Sequence, residues 1–125
     1  MGRRSRPRPH AAAFPYLPYS LAFQRACAVV HQGGIGTLAQ ALAAGHPQLI
    51  VPVAFDQPDN ARRAARLGVA SALPFRKATS ANLAAALQRL IDDRQCSVRA
   101  RELASGMRAE DGAGRAADLI VSRLR

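Results

Sequence analysis

Three glycines, a histidine and a threonine lie within the seven residues HQGGIGT, positions 31–37. Glycine at positions 33, 34 and 36 would let the backbone turn sharply and bring its N–H groups against a bound oxygen without interference from a Cβ atom. If a helix begins near Thr37, its unpaired N–H groups and the positive end of its dipole add an anion site. The segment therefore predicts a phosphate or diphosphate site. The alternative is a tight strand-to-helix turn with Thr37 as an ordinary N-cap.

The elements around this segment alternate between strand and helix. Strands are predicted to end at residue 30 and to cover residues 48–53 and 69–73, and the apolar run 48–53 is typical of a strand buried on both faces of a parallel sheet. Helices are predicted over residues 21–28, 37–45, 59–68, 79–93, 98–110 and 114–125. This order predicts an α/β fold with a partial parallel sheet flanked by helices. It places the glycines at the carboxyl end of a strand, where such folds bind ligands.

The charge of the chain is strongly basic but unevenly distributed. The 125 residues carry a net charge of +10, and four arginines crowd the first ten positions. Residues 1–15 are therefore expected to form a basic, Pro/Arg-rich, disordered tail ahead of one domain, residues 16–125. A nucleic-acid binder that uses residues 3–8 is a weaker alternative, because the other basic residues are scattered and interrupted by Asp and Glu.

Several classes of protein are disfavoured by composition. No apolar stretch approaches the roughly 20 residues of a membrane span, and no apolar segment follows the N-terminal arginines as in a secretory signal, so a cytoplasmic protein is expected. Cys27 and Cys96 lie outside any CxxC pattern, which argues against a disulfide framework or a zinc site. No DxD triplet occurs, and we expect no metal.

Two other phosphate-binding motifs compete for the same glycines. The dinucleotide-binding pattern GxGxxA is present at residues 34–39, and Asp56 follows about 20 residues later. However, Asp56 lies three residues past the predicted strand end, that strand contains Pro52, and His31 stands where the dinucleotide fold has only apolar residues. A Walker A loop is excluded because the chain has no GK[ST] sequence.

A longer string, HQGGIGTLAQALAAGHPQLIVPVAFDQPDNA, resembles the nucleotide-sugar-binding signature of GT-B-fold glycosyltransferases. Its HxGGxGT, AGxPQ and DQxxNA elements are similar to those of the bacterial macrolide-type and rhamnosyltransferase-like members, which are related to plant UDP-glycosyltransferases. The detailed resemblance covers residues 16–73. It implies the C-terminal, donor-binding half of a GT-B fold with a Rossmann-like sheet, truncated by the loss of its first strands.

The resemblance implies a role for each matching residue of the glycine segment. His31 corresponds to a histidine that contacts the donor diphosphate, although a capped or buried imidazole is the alternative. Gln40 stands where plant relatives have a ribose-binding Glu, and an exposed helix residue is the alternative there. The residues expected around the diphosphate are His31, Gly33, Gly34, Ile35, Gly36 and Thr37.

The same resemblance implies which residues contact the sugar and the base of the donor. Asp56 and Gln57 match a pair that holds sugar hydroxyls, although Asp56 with Asp59 could instead form a capping box, and Asn60 is expected to brace the loop. Tyr16 and Tyr19 lie where an aromatic ring stacks on the base, with a tyrosine packed against the core as the alternative. The resemblance implies a UDP- or dTDP-sugar as the donor, and no other cofactor is expected.

The family reaction is a direct inverting displacement in which the other half of the enzyme supplies the acceptor pocket and the general base. The resemblance therefore implies a donor-binding portion, with no catalytic residue of its own, that moves a hexose to a hydroxyl acceptor only with a separate N-terminal half. Whether the chain is an enzyme by itself stays open. A non-catalytic module that binds a nucleotide sugar or a protein is the alternative, since an exposed sheet edge would favour self-association.

Overall fold

Three short parallel strands form the sheet that positions the glycine segment. In the computed structural model, which describes residues 10–125, the strands are β1 (Val29–His31), β2 (Gln48–Ile50) and β3 (Ala70–Ala72), in the order β1-β2-β3. Both pairings are parallel, with Val29 level with Gln48 and Gln48 level with Ala70. The carboxyl ends of all three strands therefore meet at one edge of the sheet, where the glycine segment begins.

Helices connect and flank the strands. Short 3₁₀ turns cover Phe23–Arg25 and Phe75–Lys77. The α-helices are α1 (Tyr19–Ala22), α2 (Ile35–Ala44), α3 (Gln57–Arg66), α4 (Ser80–Asp92), α5 (Arg94–Arg108) and α6 (Gly112–Arg123). The prediction of a partial parallel sheet flanked by helices is confirmed.

The core lies on both faces of the sheet because consecutive residues of a strand point to opposite sides. Leu49 packs on one face with α4, in a cluster that includes Leu90. Ile50 packs on the other face with Leu38 of α2 and with small residues of α3 and α5. The small side chains that line this face, Ala61, Ala64 and Ala100, let the helices approach the strands closely.

The boundaries of several elements differ from the sequence predictions. Strand β2 ends at Ile50 rather than residue 53, because Pro52 has no N–H to extend the ladder. Helix α2 begins at Ile35, two residues before the predicted start, with Gly34 as its N-cap. Helix α5 begins at Arg94 instead of residue 98, since the Asp93 side chain accepts a hydrogen bond from the Cys96 N–H.

The predicted tail is only partly within the described residues. Residues 1–9, and with them the basic run at 3–8, lie outside the described part of the chain. Residues 10–15 have neither helix nor strand, and their side chains are exposed. Within residues 10–125, no helix is both long enough and apolar enough to cross a membrane.

Candidate functional site

The glycine segment turns directly after β1, and Gly33 makes the turn. Gly33 has a φ of +94°, a left-handed conformation that side chains strongly disfavour. A Cβ atom at this position would lie 2.9 Å from Ile50 Cγ2 and 3.2 Å from the Gln57 carbonyl oxygen. Only glycine fits here, because the loop is pressed against the end of β2 and the start of α3.

The next residues leave an open helix N-terminus. Gly34 is the N-cap of α2 in an extended conformation, and no side chain within residues 10–125 caps the helix. The first intrahelical bond runs from the Leu38 N–H to the Gly34 carbonyl, so the N–H groups of residues 35–37 have no helical partner. A Cβ atom at Gly34 or Gly36 would meet nothing within 4 Å. These amides can therefore be approached by a ligand oxygen.

His31 has both of its ring nitrogens engaged within the protein. Its Nδ1 accepts a hydrogen bond from the Gly33 N–H at 3.0 Å, and its Nε2 lies 2.7 Å from Gln48 Oε1. Since Nδ1 must be an acceptor, the ring is neutral with its proton on Nε2, which donates to Gln48. Burial lowers the pKa of His31, against a smaller opposing effect of the hydrogen bond to Gln48.

Gln48, the last residue of the AGxPQ element, is a buried polar residue to which the sequence analysis gave no role. Its side chain is 0% exposed, and its Nε2 has no hydrogen-bond partner within residues 10–125. The signal in the sequence was a single amide at the start of an otherwise apolar run, QLIV. Buried polar groups are normally paired, so an amide in such a run predicts a specific partner.

Asn60 connects the glycine segment to α3. Its Nδ2 donates to the Gly33 carbonyl at 2.9 Å and to Asp56 Oδ2 at 2.8 Å. The expectation that Asn60 braces the loop agrees with these contacts. The same contacts bring Asp56 beside the glycine segment, with its second carboxylate oxygen free of hydrogen bonds from residues 10–125.

Gln57 holds the loop between β2 and α3. Its Oε1 accepts hydrogen bonds from the Val53 and Ala54 N–H groups, at 2.9 and 3.1 Å. Asp56 is the N-cap residue of α3, but its side chain makes no capping hydrogen bond. The capping box that was the alternative for this residue therefore does not form. Between these two residues and the strand, Phe55 adopts a φ of 59° and is 93% exposed.

A cleft beside α2 brings together the residues assigned to the ribose and the base. It has a volume of about 520 Å³ and is lined by Tyr16, Tyr19 and Gln40 together with residues of the segment 14–20. Tyr19 stacks on Phe23 with ring centroids 4.7 Å apart, so one face of its ring is covered. Tyr16 is 81% exposed and has the freer ring.

The described part of the chain contains no cluster of titratable side chains that could hold a metal ion: within residues 10–125, no group of three or more His, Cys, Asp or Glu side chains is placed to do so. His46 contacts the Gln24 carbonyl oxygen at 3.3 Å, and the side chain of His10 is exposed. Cys27 is exposed and Cys96 is buried, and both are free thiols.

Comparison with known proteins places this geometry in a family. Residues 9–121 match the model of the erythromycin biosynthesis protein CIII-like C-terminal domain. The O-mycaminosyltylonolide 6-deoxyallosyltransferase of Streptomyces fradiae is 40% identical over 88% of this chain and 26% of its own length. The vancomycin aglycone glucosyltransferase of Amycolatopsis orientalis is 39% identical over 85% of this chain and 26% of its own length. The chain thus spans about a quarter of the length of these relatives.

Solved structures give the same result. The glycosyltransferase VinC, determined in complex with dTDP, matches 78% of this chain and 25% of its own with a TM-score of 0.73 and 31% identity. The calicheamicin glycosyltransferase CalG4 matches 87% of this chain and 29% of its own with a TM-score of 0.79 and 29% identity. These neighbours are GT-B glycosyltransferases, and they match over part of their chains. The chain therefore belongs to the erythromycin biosynthesis protein CIII-like C-terminal domain family of glycosyltransferases.

Proposed function

We propose that the chain is the donor-binding portion of an inverting glycosyltransferase that moves a hexose from a UDP- or dTDP-sugar to a hydroxyl acceptor. The observation that carries the proposal is the uncapped N-terminus of α2 behind the turn at Gly33. Three N–H groups without a helical partner and the positive end of the helix dipole lie there, and the Cβ positions of Gly34 and Gly36 face open space. The family relationship supports a donor diphosphate as the occupant.

General magnitudes indicate what such a site contributes to the binding of a diphosphate. A hydrogen bond to a charged oxygen contributes about 1.5–3 kcal/mol, and the helix dipole adds roughly 0.3–1 kcal/mol. Thr37, the third residue of α2, can add a hydroxyl donor. These donors carry no formal charge, so the proposed site holds the diphosphate without a cationic side chain from the loop.

The remaining parts of the donor are assigned to surfaces on either side of the loop. In this proposal, Gln40 and the tyrosines of the cleft bind the ribose and the base. Asp56 offers a free carboxylate oxygen to a sugar hydroxyl. Gln57 offers only its Nε2 amide, since its Oε1 is occupied by the Val53 and Ala54 N–H groups.

The chain contributes leaving-group stabilisation to the proposed reaction. The acceptor oxygen attacks the anomeric carbon as the bond from that carbon to the diphosphate oxygen breaks, and the acceptor proton passes to a general base. Negative charge then grows on the diphosphate, where the amides of residues 35–37 stabilise it. In the described residues, neither His10 nor His46 has a carboxylate partner, so we assign the base to a separate acceptor-binding half.

The exposed edge of β1 supports a partner in this scheme. Within residues 10–125, β1 pairs only with β2, and Val30 is exposed on this strand. The alternative function is a non-catalytic module that binds a nucleotide sugar or a protein, and self-association through this edge would accompany it. Sedimentation equilibrium tests the latter: a monomer at micromolar concentrations argues against self-association, and a dimer supports it.

Calorimetric titration of the chain with dTDP, UDP and thymidine tests the donor site. We expect both diphosphates to bind, and thymidine to bind far more weakly because it lacks the groups that contact the helix N-terminus. Thr37→Val should weaken binding of the diphosphates. Thr79→Val is the matched control, because it removes the N-cap of α4 at a cost of about 1 kcal/mol in stability but leaves the loop intact.

The outcomes are distinct. Diphosphate binding that Thr37→Val weakens and Thr79→Val does not supports the proposal. Equal affinity for dTDP and thymidine, or no binding to a chain with a cooperative unfolding transition, refutes it.

A further inference from the structure

An exposed aromatic ring stands beside the residues proposed to hold the sugar. Phe55 directly precedes Asp56 and Gln57 in the loop between β2 and α3, at the carboxyl edge of the sheet. Its side chain is 93% exposed and belongs to neither core cluster. The ring therefore adds little to the stability of the chain itself.

The backbone of Phe55 is held in an unfavourable conformation. Within residues 10–125, Phe55 is the one residue other than glycine with a positive φ, at 59°. A bulky side chain is an outlier in this left-handed region, and it persists there only where the surrounding structure fixes the backbone. Glycine would adopt the same conformation without strain. Packing within the described residues therefore gives no reason for an aromatic side chain at this position.

Hydrogen bonds on both sides of Phe55 fix its backbone. Gln57 Oε1 accepts from the Val53 and Ala54 N–H groups at 2.9 and 3.1 Å. The Gln57 N–H in turn donates to the Ala54 carbonyl at 3.2 Å, which closes the turn around Phe55. The direction in which the ring leaves the loop is therefore set by the chain before any ligand binds.

The same loop is tied to the glycine segment. Asp56 Oδ2 accepts from Asn60 Nδ2 at 2.8 Å, and Asn60 Nδ2 also donates to the Gly33 carbonyl at 2.9 Å. The second carboxylate oxygen of Asp56 receives no hydrogen bond from residues 10–125. An exposed aromatic ring and a carboxylate oxygen that can accept a hydrogen bond thus occupy adjacent positions next to the proposed diphosphate site.

We propose that the Phe55 ring packs against the C–H face of the hexose in the bound donor, beside hydroxyl groups held by Asp56, and so contributes to sugar specificity. The inference rests on the proposed function of the glycine segment. It adds a sugar contact that none of the sequence motifs implies.

The chemistry of a pyranose ring matches this pair of residues. Hydroxyl groups around its rim form hydrogen bonds, whereas the C–H bonds on its faces form an apolar surface. An aromatic ring offers a large apolar area and an electron-rich face that attracts partly positive C–H bonds. A carboxylate beside an exposed aromatic ring therefore complements both surfaces of the sugar. A nucleoside diphosphate without a sugar has no such group at this position.

Calorimetric titration with matched probes tests the proposal. The probes are dTDP and dTDP-glucose, with UDP and UDP-glucose as a second pair. We expect Phe55→Ala to weaken binding of the nucleotide sugar about tenfold, because part of the ring surface is buried by the sugar. The same variant should leave the affinity for the diphosphate unchanged. Its folding is checked by urea denaturation.

Three further variants separate the ring from other effects. Phe75→Ala is the matched control, because Phe75 is also exposed but follows β3, the strand at the opposite edge of the sheet from β1. It should leave the affinity for all probes unchanged. Phe55→Tyr keeps an aromatic ring and should retain binding of the nucleotide sugar. Phe55→Leu keeps an apolar side chain without the flat ring and should lose most of the sugar contribution.

NMR of the wild-type chain with bound dTDP-glucose gives a measurement that needs no substitution. We expect intermolecular NOEs between the ring protons of Phe55 and the C–H protons of the glucose. Their absence in a saturated complex would overturn the inference.

The failure of this inference is distinguishable from the failure of the proposed function. If Phe55→Ala weakens binding of the diphosphate and the nucleotide sugar equally, Phe55 acts on the loop and the inference is wrong, while the donor site stands. Wild-type affinity of Phe55→Ala for the nucleotide sugar also overturns the inference alone. If the folded wild-type chain binds no diphosphate, the proposed function is refuted and the inference with it.

Discussion

Phe55 occupies a backbone conformation that its side chain disfavours, and glycine in its place should stabilise the chain. Its φ of 59° lies in the left-handed region, where a residue with a Cβ atom costs roughly 1–2 kcal/mol. The ring is 93% exposed, so its removal sacrifices little buried area. Glycine also gains about 0.5–1 kcal/mol of freedom in the unfolded chain, which opposes the benefit. The expected net effect of Phe55→Gly is a gain of roughly 0.5–1 kcal/mol in the free energy of unfolding.

Urea denaturation of three variants separates the backbone effect from the loss of the ring. Phe55→Ala removes the ring but keeps a Cβ atom in the left-handed conformation, so its stability should stay close to that of the wild type. Phe75→Gly makes the same substitution at an exposed phenylalanine whose φ is not positive, and it should be less stable than the wild type by about 0.5–1 kcal/mol. The slope of the free energy against urea should be the same in all three.

One result would refute this reasoning. If Phe55→Gly is no more stable than Phe55→Ala, the left-handed conformation at residue 55 is not strained in the folded chain.

Three further predictions concern the glycine segment. Because burial lowers the pKa of His31, the folded chain binds fewer protons than the unfolded chain below the usual imidazole pKa of about 6.5. The contribution of His31 to the free energy of unfolding should therefore be fully present above that pH and be lost as the pH falls toward the pKa of the folded state. Urea titrations at about pH 7.5 and 5.5 should show a smaller loss of stability on acidification in His31→Asn than in the wild type. Equal losses in the two proteins would contradict the prediction. Gly33→Ala should destabilise the chain by about 1–3 kcal/mol, because it combines left-handed strain with a contact of 2.9 Å to Ile50. Gly36 lies inside α2, and a Cβ atom added there would face open space. Gly36→Ala should therefore be as stable as the wild type, or more stable by up to about 1 kcal/mol, in the same titration. A loss of stability like that of Gly33→Ala would refute the claim that only Gly33 requires glycine.

The order of the elements could be predicted from the sequence because short-range signals set it. Gly45 follows α2 with a φ of +79°, and Thr79 caps α4 through the Asn82 N–H, as their residue types predict. The boundaries were less predictable, since they depend on tertiary contacts. The predicted start at Thr37 missed that Gly34 can serve as an N-cap when the turn at Gly33 places it in an extended conformation.

The site could be predicted only as far as the residues carry their own chemistry. The glycines predict that the backbone approaches a bound oxygen, and this stays a prediction; at Gly33 the structure shows close packing against Ile50 and Gln57 of the chain itself. The pairing of His31 with Gln48 could not be predicted, because it depends on the register of β1 against β2. Likewise, the sequence offers Gln57 as a polar ligand, while the loop geometry commits its Oε1 to two backbone N–H groups.

The contacts that fix the glycine segment are local in the chain. The two bonds of His31 and the two bonds of Asn60 join residues between positions 31 and 60, on two adjacent strands and the following helix. A loop of this kind needs little ordering of distant segments, because its contacts span at most 27 residues of the chain. These contacts of the glycine segment therefore lie within this chain, although the chain spans only about a quarter of the length of its relatives. The cleft with Tyr16 is different, because its walls come from the exposed segment 14–20, which lies outside the sheet. Diphosphate affinity should thus depend less on a partner half than discrimination between uridine and thymidine does.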